Sequence, residues 1–177
     1  MSFIYVTGAP GIGKTTIQRS FKGKGMEVYD LDDSQFGGAH NKVSGKKVDI
    51  PPAEARESDW FDKHEWRLYK NAFELLKQDA RNKDIIVFGV SENDSEILDL
   101  FDKVIYLLIG NDELKERLRS RIDNDYGKKS SELNTILARK KKLDEKYLDC
   151  TYKIDASRSL NSVSNDILNV IKARPSS

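Results

Sequence analysis

The chain has 177 residues, which suits one domain; 38% are hydrophobic and 33% charged, so it is polar, yet its apolar residues cluster well enough for a packed core. Thirty Lys and Arg against 29 Asp and Glu leave a net charge of +1, which removes the broad basic character of a general nucleic-acid binder. The single cysteine, Cys150, cannot form an internal disulfide, no apolar run reaches a membrane span, and the N-terminus lacks a signal peptide's basic region and cleavage site. A cytoplasmic protein without a membrane partner is expected.

Residues 3–6 are apolar and partly β-branched, a buried first strand that runs into a glycine loop. A helix over 14–21 is stopped by Gly23 and Gly25, and a second strand over 26–31 ends in Asp30, Asp32 and Asp33. Residues 37–47, followed by Pro51 and Pro52, read as irregular or mobile. The spacing then predicts one helix from about 58 to 81, with Phe61, Leu68, Ala72 and Leu75 on one stripe and Trp66, Tyr69 and Phe73 on another. A third strand over 84–90 and a fourth over 103–109 are apolar almost without alternation, as in parallel strands buried on both faces. Between them 95–101 fits a short helix. A helix from Asn111 places Leu114, Leu118 and Ile122 on one face; a polar break follows at 124–129, then a charged helix over 131–148. A short fifth strand at 152–154 and a last helix carrying Leu160, Val163, Ile167 and Ile171 complete the chain before a tail at 174–177. Five strands alternating with helices imply a parallel sheet covered on both faces, without repeats or an interdomain linker.

The strongest signal is the first turn. Gly8-Ala9-Pro10-Gly11-Ile12-Gly13-Lys14-Thr15 matches G-x-x-x-x-G-K-[ST] in full, between a strand and a helix, and Thr16 follows. Glycines let backbone amides approach phosphate oxygens, and the helix start aims free N–H groups and a positive dipole end at the same place. Lys14 offers an ammonium to the outer phosphates and Thr15 a hydroxyl to Mg²⁺. A dinucleotide fingerprint fails, because Thr16 stands where its last glycine belongs.

Asp30, Asp32 and Asp33 crowd the carboxyl end of the second strand, where ligands collect in open parallel sheets. Asp30 and Asp32 share a side if the strand continues. One carboxylate there suits Mg²⁺, with Asp32 the candidate, and one suits the proton of an attacking hydroxyl. The third strand carries no acid, with Gly89 near its end and Ser91, Glu92 and Asn93 beyond, so a Walker-B aspartate is missing. Arg117 and Arg121 share a helix face, Arg119 points away, and Asn124, Gly127 and Lys128 follow on a segment able to close over phosphates. The run 139–142 reads as a solvated face. Trp60, His64, Trp66 and Arg67, with Arg56, form an aromatic and basic stretch suited to an acceptor, while Phe61 reads as core. His40 stands alone in a loop, and no structural zinc site is expected.

Taken together these motifs resemble the small P-loop kinases of the adenylate-, shikimate- and nucleoside-kinase group over nearly the full length. The phosphate loop at 8–16, the D-x-D of Asp30 and Asp32, the arginine-bearing segment 117–128 and the strand-five end at 154–160 carry the resemblance. An Asn past strand three and the N-x-x-G-K lid are similar to a group of bacterial ATP-binding proteins. The Asp-Arg-Phe/Tyr signature of deoxynucleoside and thymidylate-type kinases and the triple glycine of shikimate kinases are absent.

The resemblance implies a three-layer α/β/α P-loop fold with strand order 2-3-1-4-5, an acceptor region at about 34–81 and a small lid at about 117–132. It implies ATP along residues 8–16, held at the adenine largely by backbone near 154–160, and Mg²⁺ on Thr15 and Asp32. Lys14, Asp30, Asp32, Arg117 and Arg121 are the candidate catalytic groups, with Lys128 joining the arginines over the phosphates. Asp32, Asp33, Trp60, His64, Trp66, Arg67, Gly89 and Asn93 are the candidate acceptor contacts. The expected activity is transfer of the γ-phosphate of ATP to a nucleoside, nucleotide or similar small hydroxylated acceptor, by a monomer or homodimer. The alternatives are a nucleotide-gated ATPase or assembly factor, and a kinase acting on RNA or protein.

Overall fold

Two apolar runs set the centre of the molecule. In a computed structural model, which describes all residues except 22–24, 53, 54, 56, 58, 123–126 and 174–177, β1 (Phe3–Gly8) is buried along its whole length and lies beside β6 (Ile85–Phe88), also wholly buried. Around them run β2 (Glu27–Asp30), β7 (Lys103–Leu108) and β8 (Tyr152–Asp155), all parallel, in the order β2-β6-β1-β7-β8. Counting only these strands, the order is 2-3-1-4-5, as the resemblance implied.

Strand alternation splits the core in two. Ile4, Val6, Ile86, Phe88, Ile105 and Leu107 face α1 (Lys14–Phe21) and α6 (Leu160–Lys172), which bring Ile17, Phe21, Ile167 and Ile171. Phe3, Tyr5, Ile85 and Val87 face α3 (Lys70–Asp79) and the loop after β6, where Phe73, Leu76, Ile97 and Phe101 pack. Phe3 stacks on Phe101 with ring centres 4.3 Å apart. Residues 94–96 and 98–100 are 3-10 turns rather than the expected short helix.

The largest departure from the sequence reading lies between β2 and α3. The stretch expected to be irregular contains β3 (Gly37–Asn41) and β4 (Lys47–Val48). The single helix expected over 58–81 is instead α2 (Trp60–Lys63), β5 (His64–Leu68) and α3. The three strands form a separate antiparallel sheet, β4-β3-β5, in which Gly37 pairs Leu68 and Ala39 pairs Trp66. Glycine makes this pairing possible. A Cβ on Gly37 would stand 2.6 Å from Trp66 Nε1, and one on Gly38 2.5 Å from the Tyr69 hydroxyl. The aromatic spacing that suggested a helix therefore serves a strand whose partner leaves room at Gly37 and Gly38.

On the other side, α4 (Asn111–Ser120) buries Leu114 and Leu118, but the chain leaves the helix at Arg121 and Ile122 is 96% exposed, so it does not continue that face. Within the stretch read as a polar break, Gly127 is buried against Leu118 and Ile136. Asn124, Arg56 and the glycine stop at Gly23 lie outside the described residues. The helix α5 (Ser130–Lys146) is anchored at its far end: fully buried Asp94 accepts from the hydroxyls of Tyr5 (3.0 Å) and Tyr147 (2.7 Å) and from Lys146. No helix among the described residues is long and apolar enough to cross a membrane.

Gly89 closes β6 against the residue after β2. A Cβ there would lie 2.5 Å from Leu31 Cβ, and Leu31 is completely buried. Gly89→Ala is expected to destabilise the fold by about 1–3 kcal/mol through overpacking. Chemical denaturation of the two proteins measures this, and equal stability would refute the packing role.

Candidate nucleotide and acceptor site

The phosphate-loop sequence forms the turn between β1 and α1. Gly11 (φ 84°) and Gly13 (φ 104°) adopt conformations that L side chains rarely take. Gly11 also has Leu118 beneath it, 2.6 Å from where a Cβ would sit. The first helical bond at this end runs from Ile17 N–H to Gly13 O (3.0 Å), so the amides of Lys14, Thr15 and Thr16 have no intrahelical partner. Thr15 and Thr16 are exposed beside them. These are the donors a phosphate chain requires.

The loop opens into a cleft of about 410 Å³, lined by residues 11–17, Arg117, Arg121, Ala156, Arg158, Leu160 and Val163. Its size suits a small molecule. Gly8 and Ala9 serve from behind: their carbonyls accept from Lys14 Nζ at 2.6 and 3.1 Å. Pro10 lies between them and the lined part of the loop. Arg117 is braced across the cleft, donating to Ile12 O and Ser157 O (both 3.2 Å) while Glu113 accepts from its Nε at 3.0 Å. Arg121 lines the cleft from just beyond α4; Lys128 is exposed and is not among the lining residues.

The three aspartates stand where β2 stops. The strand ends at Asp30, so the alternation argument for Asp32 lapses: the Asp30 carboxylate instead accepts from Asp32 N–H (3.0 Å), and Asp33 N–H bonds Asp30 O (3.2 Å) in a turn. Asp32 is open to solvent on one side yet crowded by protein on the other. That crowding, with Asp30 beside it, raises its carboxyl pKa, while Lys14 and Arg139 pull it down. Lys14, Asp30, Asp32 and Arg139 thus form one electrostatic unit.

Arg139 is the residue that sequence reasoning missed. It was read as a solvated charge, but α5 carries it to within electrostatic reach of both Lys14 and Asp32, and Glu92 lies 3.9 Å from its guanidinium. Nothing in a run of four basic residues marks which one comes within electrostatic reach of the phosphate loop. Arg158 was also missed; it lines the cleft and donates to Asp155 O (3.2 Å) and to Asp166.

The expected acceptor contacts do not come together as one surface. Trp66 and Arg67 are neighbours on a strand and so face opposite sides of the second sheet. Trp66 donates its indole N–H to Leu31 O (3.1 Å), whereas Arg67 is exposed near Glu65 and Glu96. Trp60 is buried and stacks on His64 at 4.3 Å, and His64 Nδ1 lies 2.7 Å from Trp60 O. The Asn93 amide is occupied by the backbone of Leu68, and Gly89 by Leu31. His40 lies on β3, its ring edge against Tyr69. Asp33 stays exposed at the turn.

Among the described residues no group of three His, Cys, Asp or Glu side chains could hold a metal. The exposed Thr15 hydroxyl and the Asp32 carboxylate fit Mg²⁺ as it is held when phosphates supply most ligands, not a closed protein cage.

Comparison with known proteins agrees with this fold. A model of the AAA domain family matches residues 4–160. No curated protein matches the chain. Among solved structures, a shikimate kinase from Bacteroides thetaiotaomicron aligns with a TM-score of 0.59 at 18% identity, over 96% of this chain and 98% of its own. A gluconokinase from Sinorhizobium meliloti gives 0.57 at 16%, over 95% and 90%. A deoxyadenosine kinase from M. mycoides with bound dATP gives 0.51 at 15%, over 97% and 100%. At these identities the likeness establishes the fold.

Burial lowers the Lys14 ammonium from 10.5 to about 8; Asp32 opposes this, Arg139 adds to it, and Asp30 opposes it. The charged form is present below about pH 8, and its burial costs stability there relative to the unfolded chain. A bound phosphate chain favours the charged form. Above about pH 8 nucleotide binding must therefore take up a proton, and affinity should fall by up to about tenfold per pH unit. Calorimetry in buffers of different protonation heat measures this; Lys14→Met should abolish the slope, and a flat wild-type profile would refute it.

Proposed function

The chain belongs to the AAA domain family and has the fold of the small P-loop kinases, and we propose that it is a phosphotransferase that moves the γ-phosphate of ATP to a small hydroxylated acceptor. The observation that supports this reading is the complete phosphate loop opening into a small-molecule cleft, with Asp30 and Asp32 at the end of β2 within electrostatic reach of Lys14. A cation for the transferred phosphoryl group and carboxylates for the attacking hydroxyl then share one site.

In this reading the loop amides and Lys14 hold the phosphates, and Arg117 and Arg121 line the cleft where charge spreads during transfer. Mg²⁺ would be held by Thr15 and Asp32 and would neutralise phosphate charge. Asp30 or Asp32 accepts the acceptor proton, and Arg139 offsets the carboxylates. The segment around 117–132 acts as the lid, and 34–81, with its own sheet, as the acceptor region. A nucleoside, nucleotide or comparable metabolite fits the small-molecule kinases that share the fold, whose names record shikimate, gluconate and deoxyadenosine as substrates. A cytoplasmic monomer or homodimer without a nucleic-acid partner belongs to the same proposal. Against a motor-type ATPase stands the acid content after β6. Asp94 is buried and taken up by Tyr5, Tyr147 and Lys146, and Glu92 faces Arg139.

Transfer from γ-labelled ATP to a panel of nucleosides, nucleotides and sugars tests the reading. Lys14→Ala should abolish transfer while the fold survives. Asp32→Asn should lower the rate by about 10²–10⁴ with little change in ATP affinity. Near-normal rates for Asp30→Asn, Asp32→Asn and Asp33→Asn alike would reduce the cluster to a solvated turn. Removing Arg117 or Arg121 should slow transfer, whereas Arg119→Ala should not; equal rates for all three would remove the arginines from the mechanism.

A further inference from the structure

The peptide between Leu31 and Asp32 is held at both ends. Its carbonyl accepts from Trp66 Nε1 at 3.1 Å, and its N–H, that of Asp32, donates to Asp30 Oδ1 at 3.0 Å. A peptide unit is a rigid plane, so these two bonds together set its rotation and hence the direction in which the Asp32 side chain leaves the backbone. Leu31 itself cannot shift: its N–H bonds Phe88 O at 2.8 Å, and its buried side chain rests on Gly89.

Trp66 is held as firmly from the second sheet. Its indole lies over Gly37, its strand pairs with β3 through Ala39, and its carbonyl accepts from Ser91 Oγ at 3.2 Å. Two residues on, Asn93 treats Leu68 as a neighbouring strand would. Its Oδ1 accepts from Leu68 N–H (3.0 Å), and its Nδ2 donates to Leu68 O (3.3 Å). Ser91 Oγ, 3.0 Å from Asn93 Oδ1, joins the two clamps. The backbone edge of β5 is thereby satisfied from the end of β6.

We infer that Trp66 is a positioning residue for Asp32, acting through the Leu31–Asp32 peptide, and that Ser91 and Asn93 hold β5 in the register that permits it. This rests on the reading of Asp32 as a group needed for turnover. The acceptor-side sheet is then part of the alignment of the catalytic carboxylate.

A double-mutant cycle on turnover of ATP with Mg²⁺, with and without the acceptor panel, tests the inference. Trp66→Phe keeps an aromatic ring and removes the donor. It should lower turnover by about 10–100-fold while ATP affinity stays within about threefold, the pattern of a misplaced reacting group. In an Asp32→Asn background the same change should cost nothing further, because the group it positions is already disabled. An equal loss in both backgrounds would make Trp66 merely structural and overturn the inference. So would no loss in the wild-type background when Asp32→Asn itself is slow, leaving the kinase reading intact. If Asp32→Asn is as active as wild type, the role of Asp32 and the inference fall together. Should Trp66→Phe fail to fold by circular dichroism and thermal melting, Asn93→Asp, which keeps the acceptor and loses the donor, enters the same cycle under the same criteria.

Discussion

The Lys14 ammonium is half-buried, with two backbone carbonyls, Gly8 and Ala9, as its direct partners. Keeping a charge there is costly, and the surroundings are arranged around that cost. Two aspartates at the end of β2 favour the charge and an arginine from α5 opposes it, leaving an ammonium that titrates near pH 8. The same balance acts on Asp32, raised by crowding and by Asp30 and lowered by Lys14 and Arg139. A phosphate chain entering the cleft would favour the Lys14 charge, while its own negative charge would press further on Asp32. The site is therefore better understood as one coupled set of charges than as a loop with separate partners.

Holding that set in place falls to parts of the chain far apart in sequence. The phosphate loop leaves the central strand, and the aspartates leave β2, with β6 between the two strands. The second sheet reaches the aspartates through Trp66 and is itself tied to the end of β6 by Ser91 and Asn93. On the opposite flank, α5 brings Arg139 from a helix whose far end is secured on Asp94. Burial and the Asp94 charge raise the pKa of both Tyr5 and Tyr147, which keeps them as neutral hydroxyl donors to that carboxylate. Tyr106 on β7 ties the same helix to the sheet by donating to Asp144, which also accepts from Lys140 one turn earlier on α5. The half of α5 beyond these anchors runs back toward Gly127.

The phosphate loop and the five core strands were legible without coordinates. A complete G-x-x-x-x-G-K-T between an apolar strand and a helix has few other meanings, and strands buried on both faces announce themselves by unbroken apolar runs. The stretch between β2 and α3 was misread for a definable reason. Trp66, Tyr69 and Phe73 satisfy a helical period locally, while His64 to Leu68 satisfies a strand period equally well, and the choice was made by Gly37 and Gly38 far upstream. Trp66, Asn93 and Gly89 were read as acceptor contacts; in the fold the contacts they make are with Leu31 and Leu68.

By itself, then, the sequence determined what is local: the anion-binding turn, the cluster of carboxylates after strand two, and which runs must be buried. These follow from residue type and spacing over a few positions. Tertiary structure alone decided the second sheet, the approach of Arg139 from a basic run to Lys14, and the fixing of the Leu31–Asp32 peptide by an indole 35 residues away. Each of these depends on a partner distant in sequence, and a side chain's own spacing carries no information about a partner that only folding brings near.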